Sequence, residues 1–395
     1  MKRIWLNLVI FIGCFLLLVT TLGTILIMAP GMELLGVMFI RSTSGAIKKS
    51  YSVTDSTIYR EVVVEADNIP VTIEFVQSYV LTANLVEEFN GFAKAGEEPT
   101  LDVSTTSSTI QVKSNEYQAF LAYSRSEESG LIVKVPTYYT NKITIKSDKS
   151  PVTFCGLSAN LTEVSIETNG AINLNTDMVV QNLTLKMGNK DAIIGKEVDI
   201  AGFISINTKR GDVSVPKGFT GNIYFKSDSG DIKVANCGDL KVESKTGDIK
   251  GLDEEKPIIF GNATIETGGS VDIGIVYGTA VINTNHGKVN IGKDENSKHY
   301  NQYEITTKSG DVKMLGTFSN ENSKVITSSG DITLGKIVSF DIQTKYGDIS
   351  IEESQDSIIA SKSGDVFIKK TNGKHIVSTN NGDVTLGDGT KENTV

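Results

Sequence analysis

Apolar and polar side chains alternate in short runs from about residue 57 onward. REVVVEA, VTIEF, TLDVS, STIQVKS and GLIVKVP each carry apolar residues at every second position. Successive side chains of a strand point to opposite faces, so the alternation predicts strands with one buried and one wetted side. Residues 90–100, NGFAKAGEEPT, gather Gly, Pro and Glu between two such runs and read as a surface loop.

From Ile143 a second, longer period is laid over the first. Aligned on glycine, the chain repeats apolar-x-[Ser/Thr]-x-x-Gly-Asp-apolar-x-apolar. Full copies stand at Gly211, Gly230, Gly247, Gly310, Gly330, Gly347, Gly364 and Gly382, and degenerate ones at Ser150, Gly170, near Lys190, Gly269 and Gly287. In INTKRGDVSV the inward positions Ile206 and Thr208 are followed by Val213, five residues after Thr208. An odd step between two inward positions requires a sharp bend, which glycine is expected to allow through positive φ and aspartate to brace by bonding its own backbone. The repeated phrase is therefore a corner.

A hairpin meander and a β-solenoid both place corners periodically. Only the solenoid sets equivalent positions of successive copies against each other, which gives a reason for one residue type to recur in a column. The hydroxyl row Ser147, Thr168, Thr208, Ser227, Ser244, Thr267, Thr284, Thr307, Thr327, Thr344, Ser361 and Thr379 is such a column, expected to hydrogen-bond along itself. The expectation is an all-β fold: a single-stranded parallel β-solenoid of about thirteen coils, roughly 60 Å long at about 4.8 Å per coil. The same stacking puts Asp311, Asp331, Asp348, Asp365 and Asp383 in one column of like charge, each neighbouring pair costing up to about 1 kcal/mol. Lys209, Lys245, Lys308, Lys345 and Lys362, two places before the glycine, are expected to neutralise it. A calcium ladder is the alternative, but one carboxylate per coil supplies few ligands, and the calcium-roll spacing is absent.

The pattern changes in kind at the N-terminus. Ile4 to Met28 carries no charge and is almost wholly apolar, and 25 helical residues at about 1.5 Å each span roughly 37 Å, enough to cross a bilayer. A cleaved signal peptide, a lipoprotein signal and an uncleaved anchor compete. Ala29 followed by Pro30 is a poor cleavage site, and FLLLV after Cys14 is not the polar start of a lipoprotein, so the anchor is preferred. Lys2 and Arg3 favour a cytoplasmic N-terminus, hence an extracytoplasmic solenoid. The resulting division is a transmembrane signal anchor at 1–30, an interfacial segment and linker at 31–56, a β-rich N-terminal cap at 57–140 and solenoid repeats at 141–395.

Composition narrows the chemistry. The chain of 395 residues has 37 glycines but only 7 prolines, and its net charge of −9 with no basic stripe leaves no source for phosphate neutralisation, so nucleic acid is excluded as a partner. Cys155 and Cys237 have no CxxC or Cys/His company and read as small core residues without a disulfide. His286, His299 and His375 fall at different repeat positions with no metal-ligand spacing, and read as exposed or corner histidines. No phosphate loop, nucleophile elbow or catalytic triad is visible, so no catalytic, cofactor-binding or metal residue is assigned and no cofactor is implied. Arg210-Gly211-Asp212 spells RGD, yet Gly-Asp is demanded by the repeat. Tyr138, Tyr139, Tyr277, Tyr300, Tyr303 and Tyr346 are available for a sugar platform, and HYNQY (299–303) is expected to protrude as a loop.

With its eight Gly-Asp corners and the lead-in LIVKVPTYYTNKITIKS, the sequence over about residues 60–390 resembles a bacterial domain family of candidate adhesins of unknown function. The resemblance implies a β-solenoid often preceded by a membrane segment, and no residues of known role. The expected function is a non-catalytic, membrane-anchored surface protein, adhesin-like or envelope-structural, whose partners are the membrane and a glycan or surface protein. A polysaccharide-acting solenoid enzyme and a cytoplasm-facing membrane-stress or signalling module are the alternatives.

Overall fold

A computed structural model describes residues 40–395 apart from 95–98, 116–118, 126–128, 216–218, 220, 253–254, 388–391 and 395. The chain winds into a parallel β-solenoid of about twelve turns, near the thirteen that the spacing predicts. Each turn contains a longer strand on one side (face 1) and a short one across the Gly-Asp corner (face 2); most add a third segment that closes a triangle (face 3). Tyr303–Thr307, Val312–Phe318 and Ser323–Thr327 show one full turn, the far end of the middle strand supplying face 3.

Rungs stack in parallel register, shifted locally by bulges between Val180 and Asn182 and between Met314 and Thr317. On face 1 the inward column runs Ile145, Ile166, Leu185, Ile206, Phe225, Val242, Ile265, Ile282, Ile305, Val325, Ile342, Ile359 and Val377, each paired with the next. All are buried. On face 2 the column continues from Val152 through Ile172, Ala192, Val213, Ile232, Ile249, Val271, Val289, Val312, Ile332, Ile349 and Val366 to Val384. The β-branched majority suits a pleated surface packed from inside, and each fully buried aliphatic side chain contributes about 1.5–3 kcal/mol. The odd step through the corner is what allows both columns to face one core.

Two stretches of the sequence reading take a different form. Residues 40–54, inside the segment read as interfacial and linker, form the strand Ile40–Thr54, antiparallel to Val80–Lys94. Glu61–Ala66 and Val71–Val76, within the stretch read as cap, stack in parallel register on Lys142–Ser147 and Val152–Gly156 and so extend the solenoid core. Among the described residues antiparallel pairing is confined to the N-terminal end, where Val80–Lys94 runs against Gly130–Pro136, and Leu101–Thr105 against Thr109–Ser114. Reversing direction there ends the parallel ladder and covers an edge that would otherwise invite further strands. The apolar run 4–28 lies outside the described residues; among them no helix is long and apolar enough to cross a membrane.

Candidate functional site

The Gly-Asp corner is the most repeated feature and the first candidate. None of its glycines has positive φ; that conformation occurs at Gly156, Gly292, Gly316 and Gly373 instead. The expectation that the corner glycine relaxes a left-handed turn is therefore overturned, and a steric reason replaces it. A Cβ on Gly347 would sit 2.0 Å from the carbonyl oxygen of Gly330, and one on Gly364 2.0 Å from that of Gly347. Glycine recurs because each corner rests directly on the corner below.

The hydroxyl before it caps the bend. Ser227 Oγ accepts the Gly230 N–H at 2.6 Å, Thr307 Oγ1 that of Gly310 at 2.9 Å and Thr344 Oγ1 that of Gly347 at 3.1 Å. Several also donate to the corner below: Thr208 Oγ1 to the Gly188 carbonyl at 3.1 Å and Thr267 Oγ1 to that of Gly247 at 2.6 Å. Hydroxyls of this row bond backbone groups in these pairs, not one another as stacking alone suggested. Met187 occupies the row between Thr168 and Thr208, where a buried thioether replaces the cap.

Aspartate completes the device. The Asp212 Oδ1 accepts the Asp231 N–H at 2.8 Å, and Asp231 does the same for Asp248 at 2.8 Å. Asp311, Asp331, Asp348 and Asp365 continue the ladder to Asp331, Asp348, Asp365 and Asp383 at 3.2, 2.9, 2.9 and 2.9 Å. Each carboxylate gains a charge-assisted bond that offsets the repulsion of its neighbours. The five lysines expected to neutralise the column do not: Lys245 pairs with Asp228 at 2.7 Å, and among the described residues Lys209, Lys308, Lys345 and Lys362 form no ion pair. Compensation comes from other positions, Lys250 on Asp231 at 2.9 Å and Lys288 on Asp311 at 3.0 Å; the Lys288 ammonium holds the Asp311 carboxyl below its ordinary value. The RGD triplet lies in this column, its glycine packed on Lys190 and its aspartate bonded upward to Asp231.

Sequence reading missed a second ladder at the corner preceding face 1. Asn222 Oδ1 accepts the Asp239 N–H at 2.8 Å, Asp239 that of Asn262 at 2.7 Å, and Asn262 that of Thr279 at 2.9 Å. Its signal is present in the chain as Gly221-Asn222, Gly238-Asp239, Gly261-Asn262 and Gly278-Thr279, a quieter echo of the Gly-Asp phrase.

The histidines and tyrosines sort themselves by burial. His299 and His375 are wholly buried, against the expectation of exposed or corner residues, while His286 is exposed with Nδ1 2.8 Å from Ser309 Oγ. His299 stacks on Phe318 at 4.2 Å and meets Tyr303 Oη through Nδ1 at 2.8 Å; Tyr303 and Phe340 turn their edges to Phe318. Burial pushes the His299 imidazole down to about 4, opposed only in part by the Leu315 carbonyl, and pushes His375 down as well. HYNQY thus does not protrude as a loop: its two ends are core, and Tyr300 alone of its aromatics is exposed. Tyr139 is likewise buried. Of the remaining tyrosines, Tyr138 stacks on Tyr79 at 5.1 Å, Tyr277 on Phe260 at 6.0 Å, and Tyr346 stands exposed. Cys155 and Cys237 are free thiols; Cys237 is buried and pushed up to about 12, Cys155 is half-buried.

Two overlapping stretches, residues 59–250 and 181–395, match the model of the Toastrack DUF4097 family, which together span the solenoid from its first rung. The chain belongs to that family. The two matches overlap over residues 181–250, within the stretch where the rungs repeat along one axis. Two solved structures are similar: a candidate cell adhesion protein of Clostridium sporogenes ATCC 15579, 8% identical over 69% of this chain and 100% of that one with a TM-score of 0.24, and a candidate adhesin of Parabacteroides merdae ATCC 43184, 11% identical over 89% and 96% with a TM-score of 0.19. No curated protein matches the sequence. Among the described residues of this Toastrack chain, no three His, Cys, Asp or Glu side chains converge as a metal site.

Proposed function

We propose that this chain is a non-catalytic display rod of the cell surface, held in the membrane by residues 4–28 with its solenoid outside the cytoplasm, and presenting its faces to a glycan or a surface protein. One observation carries the reading: the acids and hydroxyls that recur at the Gly-Asp corners bind backbone groups of their own or the adjoining rung, so their repetition serves length and rigidity. Side chains so engaged are poor acids, bases or nucleophiles. The stacked outward pairs Tyr79–Tyr138 and Phe260–Tyr277 are the natural first contacts for a sugar ring or an apolar side chain.

A glycan and matrix-protein array probed with the full-length chain tests the binding part; retention on a ligand class that weakens with Tyr277→Ala is expected. Glycan turnover abolished by a single carboxylate substitution would overturn the non-catalytic reading. Labelling a cysteine introduced near residue 395 in intact cells tests the topology, and labelling only after lysis would contradict it.

A further inference from the structure

His375 is wholly buried on the six-residue rung Lys374–Thr379 of face 1, and neither of its ring nitrogens has a hydrogen-bond partner. Two coils below, the core is filled by Ile337 and Phe340; the coil directly beneath His375 puts Ser354 and Ser357 at those places, and Ser357 lies beside the histidine in register. These hydroxyls are engaged elsewhere. Ser354 and Ser357 bond each other, Oγ to Oγ at 2.5 Å, and buried Thr371 donates to the Gly387 carbonyl at 3.1 Å. Above the histidine lies one three-residue strand, Glu392–Thr394, with Asn393 in register with His375.

We propose that His375 is a proton-operated latch at the C-terminal end of the rod. With the ring neutral, Glu392–Thr394 closes over the end; with the ring protonated, that strand and then Lys374–Thr379 lift away while the rungs beneath stay paired. A neutral imidazole calls for one donor and one acceptor, and an imidazolium for two acceptors and solvation of its charge. The closed end supplies neither set, whereas water at an opened end supplies both, so protonation tilts the balance toward opening. Opening stays local because a solenoid coil touches only its neighbours: it breaks the pairs from Ser357–His375 to Ser361–Thr379 and no others on the rungs below. His299 has no such freedom, since Phe318 and the coils beyond it are stacked above.

The charged groups around the latch lie outside the core. On the rung below, Glu352 and Glu353 pair with Lys369 and Lys370 at 3.6 and 3.0 Å, and Asp356 accepts the Lys374 N–H at 2.7 Å. Asp341 stands one rung further down, Lys374 precedes the histidine on its own strand, and Glu392 is in register with Lys374 on the covering strand. Val384–Leu386 brings no charge. Asp356 alone among them favours the charged ring, and burial outweighs it. Burial thus holds the closed ring below its ordinary value, so the end is fully closed above about pH 6.5. Its opening constant rises as pH falls from there, by up to about tenfold per unit, until the closed ring itself titrates.

Amide hydrogen exchange of the full-length chain in detergent micelles at pH 7.5 and 5.5, scaled to intrinsic rates, tests this. Protection at residues 376–379 is expected to fall about five- to tenfold at the lower pH, while that at 304–307 holds. In His375→Gln the end should be equally protected at both values. NMR titration of the imidazoles in the unsubstituted chain is a readout that does not depend on how the variant folds: His375 should titrate below the exposed His286. An end whose protection does not change with pH, equal loss along the whole rod, an unaltered response in His375→Gln, or a His375 titrating at or above His286 would each overturn the proposal.

Discussion

Thr344, Gly347 and Asp348 divide the work of one corner among three side chains. The threonine satisfies a buried N–H, the glycine permits contact with the rung below, and the aspartate receives the N–H of the rung above. Gly347→Ala must push two rungs apart, since its methyl would meet the Gly330 carbonyl at 2.0 Å; a loss of at least about 2 kcal/mol in urea unfolding is expected. Asp348 separates charge from hydrogen bonding. Asp348→Asn keeps an acceptor for the Asp365 N–H and removes one charge from the column, so its stability should stay within about 0.5 kcal/mol of the parent, whereas Asp348→Ala should cost about 1–2 kcal/mol. An asparagine variant as damaged as the alanine one would mean that the carboxylate, not its acceptor oxygen, is what the corner needs. Thr, Gly and Asp were each legible as required types at their places, but glycine's reason was not: φ follows from local sequence, while a clash with a carbonyl 17 residues away exists only once rungs are stacked.

Where the third side of the coil meets face 1, from His299 to Phe340, the packing is aromatic. His299, Tyr303, Phe318 and Phe340 interlock in successive turns, and Phe318 lies at the centre with three ring neighbours. Phe318→Ala should therefore cost about 3–5 kcal/mol. His299 gives the same element a pH dependence. Its folded value of about 4 lies below the ordinary 6.5, so the unfolded chain binds the proton more readily. Its contribution is complete above pH 6.5 and declines as pH falls toward 4, by about 3 kcal/mol in all. A His299→Gln variant should unfold with a visibly flatter pH profile across that window; an unchanged profile would place the titration elsewhere. Nothing in the alternation of HYNQY announced this, because His and Tyr read as polar in a sequence pattern and became core only by their register with Phe318. The second ladder through Asn222, Asp239 and Asn262 was hidden for a related reason, its Gly-Asn and Gly-Asp pairs standing at varying distances from the louder corner.

On the scale of the whole molecule, hydrogen bonds of the two ladders run along the solenoid axis, parallel to the strand-to-strand bonds, and tie neighbouring coils by side chain as well as backbone. Such a stack is stiff, its length set by the number of repeats, and its flat faces are free to vary. The period and alternation made the all-β parallel solenoid legible from sequence; the antiparallel N-terminal end was less so, since strands there alternate without a repeat to fix their direction. The account depends on rungs lying in parallel register, and paired cysteines test that most directly. In a Cys14→Ser, Cys155→Ser background, Ser350→Cys with Phe367→Cys joins positions directly paired on face 2. This pair should close an intramolecular disulfide, and Thr333→Cys with Phe367→Cys, two rungs apart, should not. A disulfide forming in the second pair and not the first would contradict the register and the display rod built on it.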